Sequence, residues 1–205
     1  MDLLRFDGHI LGTSFASGDT IVAGRWRSSP FGPFADVMWR RSDGVRTLLA
    51  PTEDVRTFVM GHYAFDAASR VPVRVERDRT GLVRVDAGPI DLRVRAEPLD
   101  LAGRLIRLRP RWVRERPAWI AIEDVALRPL VAPLFGADGV HVRGRTRTGA
   151  REWYAIHDVR AAAATGAIDG TDLGETATLE AAGFGFTEFP SRSSIVRVTS
   201  LIERL

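Results

Sequence analysis

The run from Thr20 to Pro51, TIVAGRWRSSPFGPFADVMWRRSDGVRTLLAP, admits few folds. Ile21–Arg27 and Val37–Arg41 alternate β-branched or aromatic residues with polar ones, the period of a half-buried strand. In the second run Val37 and Trp39 share one face, and Asp36, Met38 and Arg40 share the other. Between them, Pro30 and Pro33 lack the N–H that a ladder needs, and Gly32 permits a sharp bend. Ser42-Asp43-Gly44 supplies a tight turn into Val45–Leu49, because Asp-Gly tolerates positive φ. These residues predict two hairpin-linked strands and a third beyond a Pro/Gly corner, the nucleus of an antiparallel sheet.

The flanking sequence extends the pattern. His9–Phe15 reads as a strand ended by Ser17-Gly18-Asp19. Pro51-Thr52-Glu53-Asp54 starts a helix: Thr52 caps the first turn, and two carboxylates meet the positive end of its dipole. Val55, Phe58 and Val59 give that helix an apolar stripe, and Gly61 ends it. Val71–Glu76, Val83–Asp86 and Ile90–Arg95 alternate valine, isoleucine or leucine with charge, a meander with one wet face. Trp119–Glu123 alternates like another strand, followed by a broken helical segment interrupted by Pro129 and Pro133. A two-residue Thr148-Gly149 turn would pair Arg145 with Glu152, and Gly144 with Trp153. Ala161–Ala182 reads as a short helix and loop, with Phe184–Phe189 and Ile195–Ile202 as closing strands.

Phe31-Gly32-Pro33-Phe34-Ala35-Asp36 resembles the Gly-x-aromatic-x-acid segment of the acetoacetate decarboxylase-like superfamily. The resemblance covers at most Arg25 to Ala96. It implies a cone of antiparallel strands around a small pocket, with Asp36 where the family carries an active-site glutamate. The family's catalytic lysine would fall in a Tyr-Pro-Lys-like segment, whose counterpart here is Tyr63-Ala64-Phe65-Asp66 without the lysine. Gly24-Arg25-Trp26 is similar to the Gly-x-Trp that opens lipocalin barrels.

Absences narrow the chemistry further. All 29 basic residues are arginine, and the chain contains neither lysine nor cysteine. That excludes a side-chain Schiff base, an internal aldimine with pyridoxal phosphate, disulfides, thiolate metal sites and thiol nucleophiles. The decarboxylase mechanism is excluded with them. Gly12-Thr13-Ser14-Phe15-Ala16 lacks the strand-to-helix setting of a nucleophile elbow. His9, His62, His141 and His157 show no metal-binding spacing. Net charge is only +3, which argues against a nucleic-acid partner. The Arg104–Arg116 stretch, with Trp112 inside it, reads as a solvated, arginine-coated edge or loop; as a continuous surface stripe it is also the one segment with the composition for binding nucleic acid or an acidic partner. No window is apolar enough for a membrane span, and the N-terminus has no signal-peptide core; a cytoplasmic location is expected.

The reading is therefore one mainly β domain over residues 1–205, an antiparallel barrel- or cone-like sheet with two or three short helices and no cofactor. It is expected to bind a small organic ligand, acidic or partly apolar, in a β-cup. Arg25, Trp26, Trp39, Tyr63, Arg143 and Trp153 are the candidate ligand-binding residues. An acid/base enzyme on the same scaffold would use Asp36 with His62 or Asp66. A homo-oligomer is left open.

Overall fold

The computed structural model describes residues 2–99, 101–127 and 139–204. Four antiparallel strands open the chain: β1 (Leu3–Phe15), β2 (Thr20–Ser28), β3 (Phe34–Arg40) and β4 (Arg46–Ala50). The Pro/Gly corner separates β2 from β3, and Gly44, at φ 87°, turns β3 into β4. Helix α1 (Glu53–His62) follows, with the Thr52 hydroxyl accepting from the Val55 N–H at 3.3 Å. It carries the chain over to β5 (Ala67–Arg70), which pairs parallel with β4, the one parallel pairing among the described strands.

A meander then forms from β6 (Val73–Arg77), β7 (Leu82–Ala87) and β8 (Ile90–Ala96). Short helices α2 (Leu101–Arg107), α3 (Arg111–Arg114) and α4 (Pro117–Ile122) lead into a π-helical turn, Glu123–Leu127. Strand β9 (Arg143–Arg145) starts the last hairpin, whose partner β10 (Arg151–Ile168) runs for 18 residues. Two-residue strands β11 (Thr171–Asp172) and β12 (Thr176–Ala177) precede the closing strand β13 (Ser194–Glu203).

These strands make one continuous path, β5-β4-β3-β2-β1-β13-β10-β8-β7-β6, that curls into a half-barrel. Its far end returns far enough for β6 to pack against β2 and β3 without pairing to them. The curl encloses an apolar core of alternate residues, including Leu11, Phe15, Ile21, Val37, Val85, Ile90 and Leu92. On the opposite face of β2–β4, α1 lays Val55 and Val59 against Leu48 and Ala50. Among the described residues no helix is long and apolar enough to cross a membrane.

Several local expectations change. Trp119–Glu123 is helical, because Pro117 at the first helical position presets φ for α4 rather than for a strand. The segment 128–138, with Pro129 and Pro133, lies outside the described residues. Ala161–Ile168 is strand rather than helix: its small residues let β10 continue from β13 onto β8, and long-range pairing outweighs alanine's helical propensity. Phe184–Phe189 forms no strand but a loop whose rings fold back on the sheet, Phe186 over Gly144 and Phe189 over Gly12.

The β9–β10 register is also one residue away from the expected one. Thr146 and Ala150 close a three-residue loop with Gly149 at φ 85°, so Gly144 pairs with Glu152 and Arg143 with Trp153. Such a loop adds a residue in the left-handed region to a tight turn. Slipping the register by one residue exchanges the faces. Glu152, paired with Ile202 of β13, is fully buried, and Trp153 on the other face is buried too.

Candidate functional site

Two features of the sheet open a cavity of about 470 Å³ on the face that carries α1. The first is alternation. Phe6 and Ile10 of β1, Val22 and Trp26 of β2, Phe34 and Met38 of β3, and Val196, Val198 and Ile202 of β13 all point into it. The second is a β-bulge in β10, where Ile156 pairs with Val198 but Asp158 pairs with Arg197, leaving His157 over. The extra residue re-aims the strand. Tyr154 and Ile156 face the cavity before the bulge and Val159 faces it after, while Asp158 is sent to the other face. Phe58 and Tyr63, from α1 and its C-terminal end, and the 184–190 loop cover the opening.

The polar groups of this apolar chamber are few and buried. Gly24 lies directly across from Asp36 in the β2–β3 pairing. A Cβ at Gly24 would fall 2.5 Å from Asp36 Oδ1 and 2.7 Å from Trp26 Nε1. The missing side chain is what lets Trp26 fold back and donate its indole N–H to Asp36 Oδ1 at 3.1 Å. Asp36 is 3% exposed. Burial pushes its carboxyl up to about 7, and the Trp26 bond offsets only part of that.

Deeper in the wall, Glu152 accepts from the hydroxyls of Tyr63 at 2.7 Å and Ser200 at 2.8 Å, while the Tyr154 hydroxyl lies 3.2 Å from that of Tyr63. Burial raises the Glu152 carboxyl, and burial together with Glu152 raises both tyrosines well above their ordinary value. Among the described residues Glu152 Oε2 is buried without a hydrogen-bond partner.

The last wall is the arginine-rich segment. Between its pairings with β9 and β8, the outer edge of β10 has no strand beside it among the described residues. Arg109 reaches across that gap, donating to the Ile156 carbonyl at 2.5 Å, to the Ile106 carbonyl at 3.1 Å and to the Glu123 carboxylate. Trp119 donates to the same Glu123 oxygen at 2.6 Å. Arg114, itself buried, donates to the Arg109 carbonyl at 2.5 Å. Arg109 and Arg114 therefore act as interior braces for an open sheet edge, and the expected surface stripe from Arg104 to Arg116 is interrupted at both.

Of the residues singled out from sequence, Asp36, Trp26 and Tyr63 line this cavity together. The others do not. His62 lies 2.7 Å from the Phe58 carbonyl through Nδ1 and stacks on the Phe58 ring. Asp66 is on the surface, paired with Arg46 at 2.9 Å, which holds its carboxyl down at about 2. The pairing of Asp36 with His62 or Asp66 is thus not formed. Trp39 donates to Asp19 at 2.8 Å, Arg143 faces Asp124 at 3.6 Å, and Trp153 packs with Ile120, Ala155 and Leu201. Arg25 lines a separate, smaller cavity on the other face. Sequence reasoning missed Glu152, Tyr154, Ser200, Arg109 and Glu123. Alternation in the hairpin, which marks only the Trp153 face as apolar, hid the first two, and the signal for Arg109 was an arginine run that read as surface.

A structure comparison finds similarity to a Nitrosomonas europaea protein provisionally named AttH, with a TM-score of 0.32 and 14% identity over 96% of this chain. The chain spans 38% of that protein's length. Similarity of that strength says nothing about what the chain does. No protein-family model and no curated protein matches it.

Proposed function

We propose that the chain is a binding protein for a small, largely apolar organic molecule, held in the 470 Å³ cavity with its polar group against Asp36 and Trp26. The observation that carries this is a chamber walled mainly by aliphatic and aromatic side chains around the buried carboxyl of Asp36, whose one side-chain partner, among the described residues, is Trp26. Apolar walls with a few convergent polar groups are the usual make-up of a small-molecule site. Of the two ligand types expected from sequence, the apolar one fits better. The carboxyl groups of Asp36, Glu123, Glu152 and Glu188 lie in or behind the walls, and the one guanidinium among the described lining residues, Arg109, is already held by Glu123. Kinship with the acetoacetate decarboxylase-like superfamily would on this reading be that of a lysine-free relative, with Asp36 retained at the ligand.

An acid/base reading has one specific support: a carboxyl poised at about 7 can donate or accept a proton at neutral pH. Neither His62 nor Asp66 joins Asp36 among the described lining residues; the other ionisable groups there are Tyr63, Arg109, Glu123, His141, Tyr154 and Glu188.

The test is a thermal-shift series at pH 8, comparing linear alcohols from hexanol to dodecanol with the matching fatty acids. The alcohols are expected to raise Tm by roughly 5–10 °C at a hundredfold excess over Kd, with smaller shifts for the carboxylates. Larger shifts with the carboxylates, or none with either series, would overturn the reading.

A further inference from the structure

The second cavity, about 230 Å³, is the mouth of the half-barrel on the opposite face of the sheet. The same alternation that fills the barrel with Leu11, Ala23, Val75 and Ile195 ends, one inward position further along, in charge. Arg25 of β2, Arg77 of β6, Arg160 of β10 and Arg197 of β13 converge on the mouth, joined by Arg107 from α2. Asp158 is the one carboxylate among the described lining residues. Five guanidinium groups against one carboxylate is a larger positive excess than the +3 of the whole chain.

The register makes the crowding explicit. His9 is directly opposite Arg25 on one side and directly opposite Arg197 on the other, so three basic side chains form one row across β2, β1 and β13. Like charges placed opposite one another destabilise a sheet. Burial, with Arg27, Arg197, Arg25 and Arg77 around it, drives His9 down to about 4, so the imidazole in this row is neutral at physiological pH. Asp158 Oδ2 accepts from Arg107 at 2.8 Å and from Arg160 at 3.2 Å, which fixes two of the forks. Among the described residues Arg25, Arg77 and Arg197 have no acidic partner. The floor is apolar, and the ring of donors stands above it.

We propose that this arginine-rimmed mouth is a second binding site, independent of the apolar cavity, for a small multiply charged oxyanion of the phosphate or diphosphate class. Guanidinium forks match such oxyanions with paired, charge-assisted N–H···O bonds. An anion seated between Arg25, Arg77 and Arg197 would also relieve the repulsion along the His9 row.

The experiment is calorimetric titration of the full chain with pyrophosphate at constant ionic strength, beside Arg25→Gln, Arg77→Gln and, as a control, Arg93→Gln on the exposed face of β8. Saturable one-to-one binding is expected, weakened roughly ten-fold or more by each of the first two changes and unaltered by the third. A second reading comes from NMR titration of His9, whose pKa should rise on adding pyrophosphate because the anion offsets the surrounding guanidiniums. That readout requires only the wild-type protein, so it holds even if a variant fails to fold. Binding that falls equally in Arg93→Gln, or that leaves His9 unmoved, would overturn the proposal. Tight binding of a single-stranded oligonucleotide with weak binding of pyrophosphate would overturn it as well, pointing to nucleic-acid backbone instead.

Discussion

Replacing Asp36 by asparagine is expected to stabilise the protein at pH 8 by roughly 3–4 kcal/mol and to change little at pH 4. The carboxyl titrates at about 7 in the folded chain against 3.8 as its unperturbed value, because it is buried among Trp26, Phe34 and Met38 with a single indole donor. In this case the folded state binds the proton more tightly than the unfolded one. The benefit is therefore fully present below the unfolded value and is lost as pH rises through the folded value. Above about pH 7 the wild type must bury a charge, and the amide need not. The Trp26 N–H still finds an acceptor in the carbonyl oxygen of the introduced amide. Burial of Glu152 acts in the same direction. His9 and His157 act oppositely: both are lowered to about 4, chiefly by burial, so their contribution is lost as pH falls from 6.5 towards 4. Subtracting the urea-unfolding free energies of wild type and Asp36→Asn across pH 4–9 isolates the Asp36 contribution. A difference that does not grow with pH would show that the carboxyl is ionised and solvated in the folded protein.

The second large effect is expected at Arg109. Arg109→Ala should destabilise the chain by about 3–5 kcal/mol, the usual cost of removing one partner from a buried ion pair. The change strands the Glu123 carboxylate, 8% exposed in its side chain, and removes the donor to the Ile156 carbonyl at the open edge of β10. It should also loosen the helical segment that closes the apolar cavity, so amide exchange across 103–127 should rise more than across β1 and β13. Arg109→Met combined with Glu123→Leu should recover much of the loss, because an apolar pair leaves no uncompensated charge. Equal destabilisation of the single and double variants would assign Arg109 a packing role only.

The elements that were legible in the sequence share a cause. β2, β3, β4, α1, the β6–β8 meander and β13 announce themselves through local period, turn residues or a cap, and each element buries the face that its own pattern marks. What was not legible depends on partners far along the chain. Ala161–Ile168 is a strand because β8 waits beside it, and nothing local to an alanine run says so. Glu152 is buried because β10 is covered on both faces, Trp153 packing against Ile120 and Leu201 on one and Glu152 accepting from Tyr63 and Ser200 on the other, whereas alternation in the hairpin marks only the Trp153 face as apolar. Asp36, Trp26 and Tyr63 could be singled out because they lie on patterned elements. His62 and Asp66 were expected as acid/base partners of Asp36, but His62 turns back to the Phe58 carbonyl and Asp66 pairs with Arg46. The arginines of 104–116 were read as a coat, yet two of them are internal donors, Arg109 to the Ile156 carbonyl of β10 and Arg114 to the Arg109 carbonyl.

The most direct test of the apolar cavity as a ligand site is a fluorescence titration with N-phenyl-1-naphthylamine, a neutral apolar dye, on wild type and on Val22→Phe. Val22 lies on the cavity-facing side of β2, two positions before Gly24 and four before Trp26, and a phenyl group there takes up the space a ligand would occupy. The account predicts saturable binding by the wild type with quenching of tryptophan emission, and at least roughly ten-fold weaker binding by Val22→Phe, in a variant whose urea midpoint is unchanged or higher. Equal affinity in the two proteins, at equal stability, would contradict it and place the dye elsewhere on the molecule.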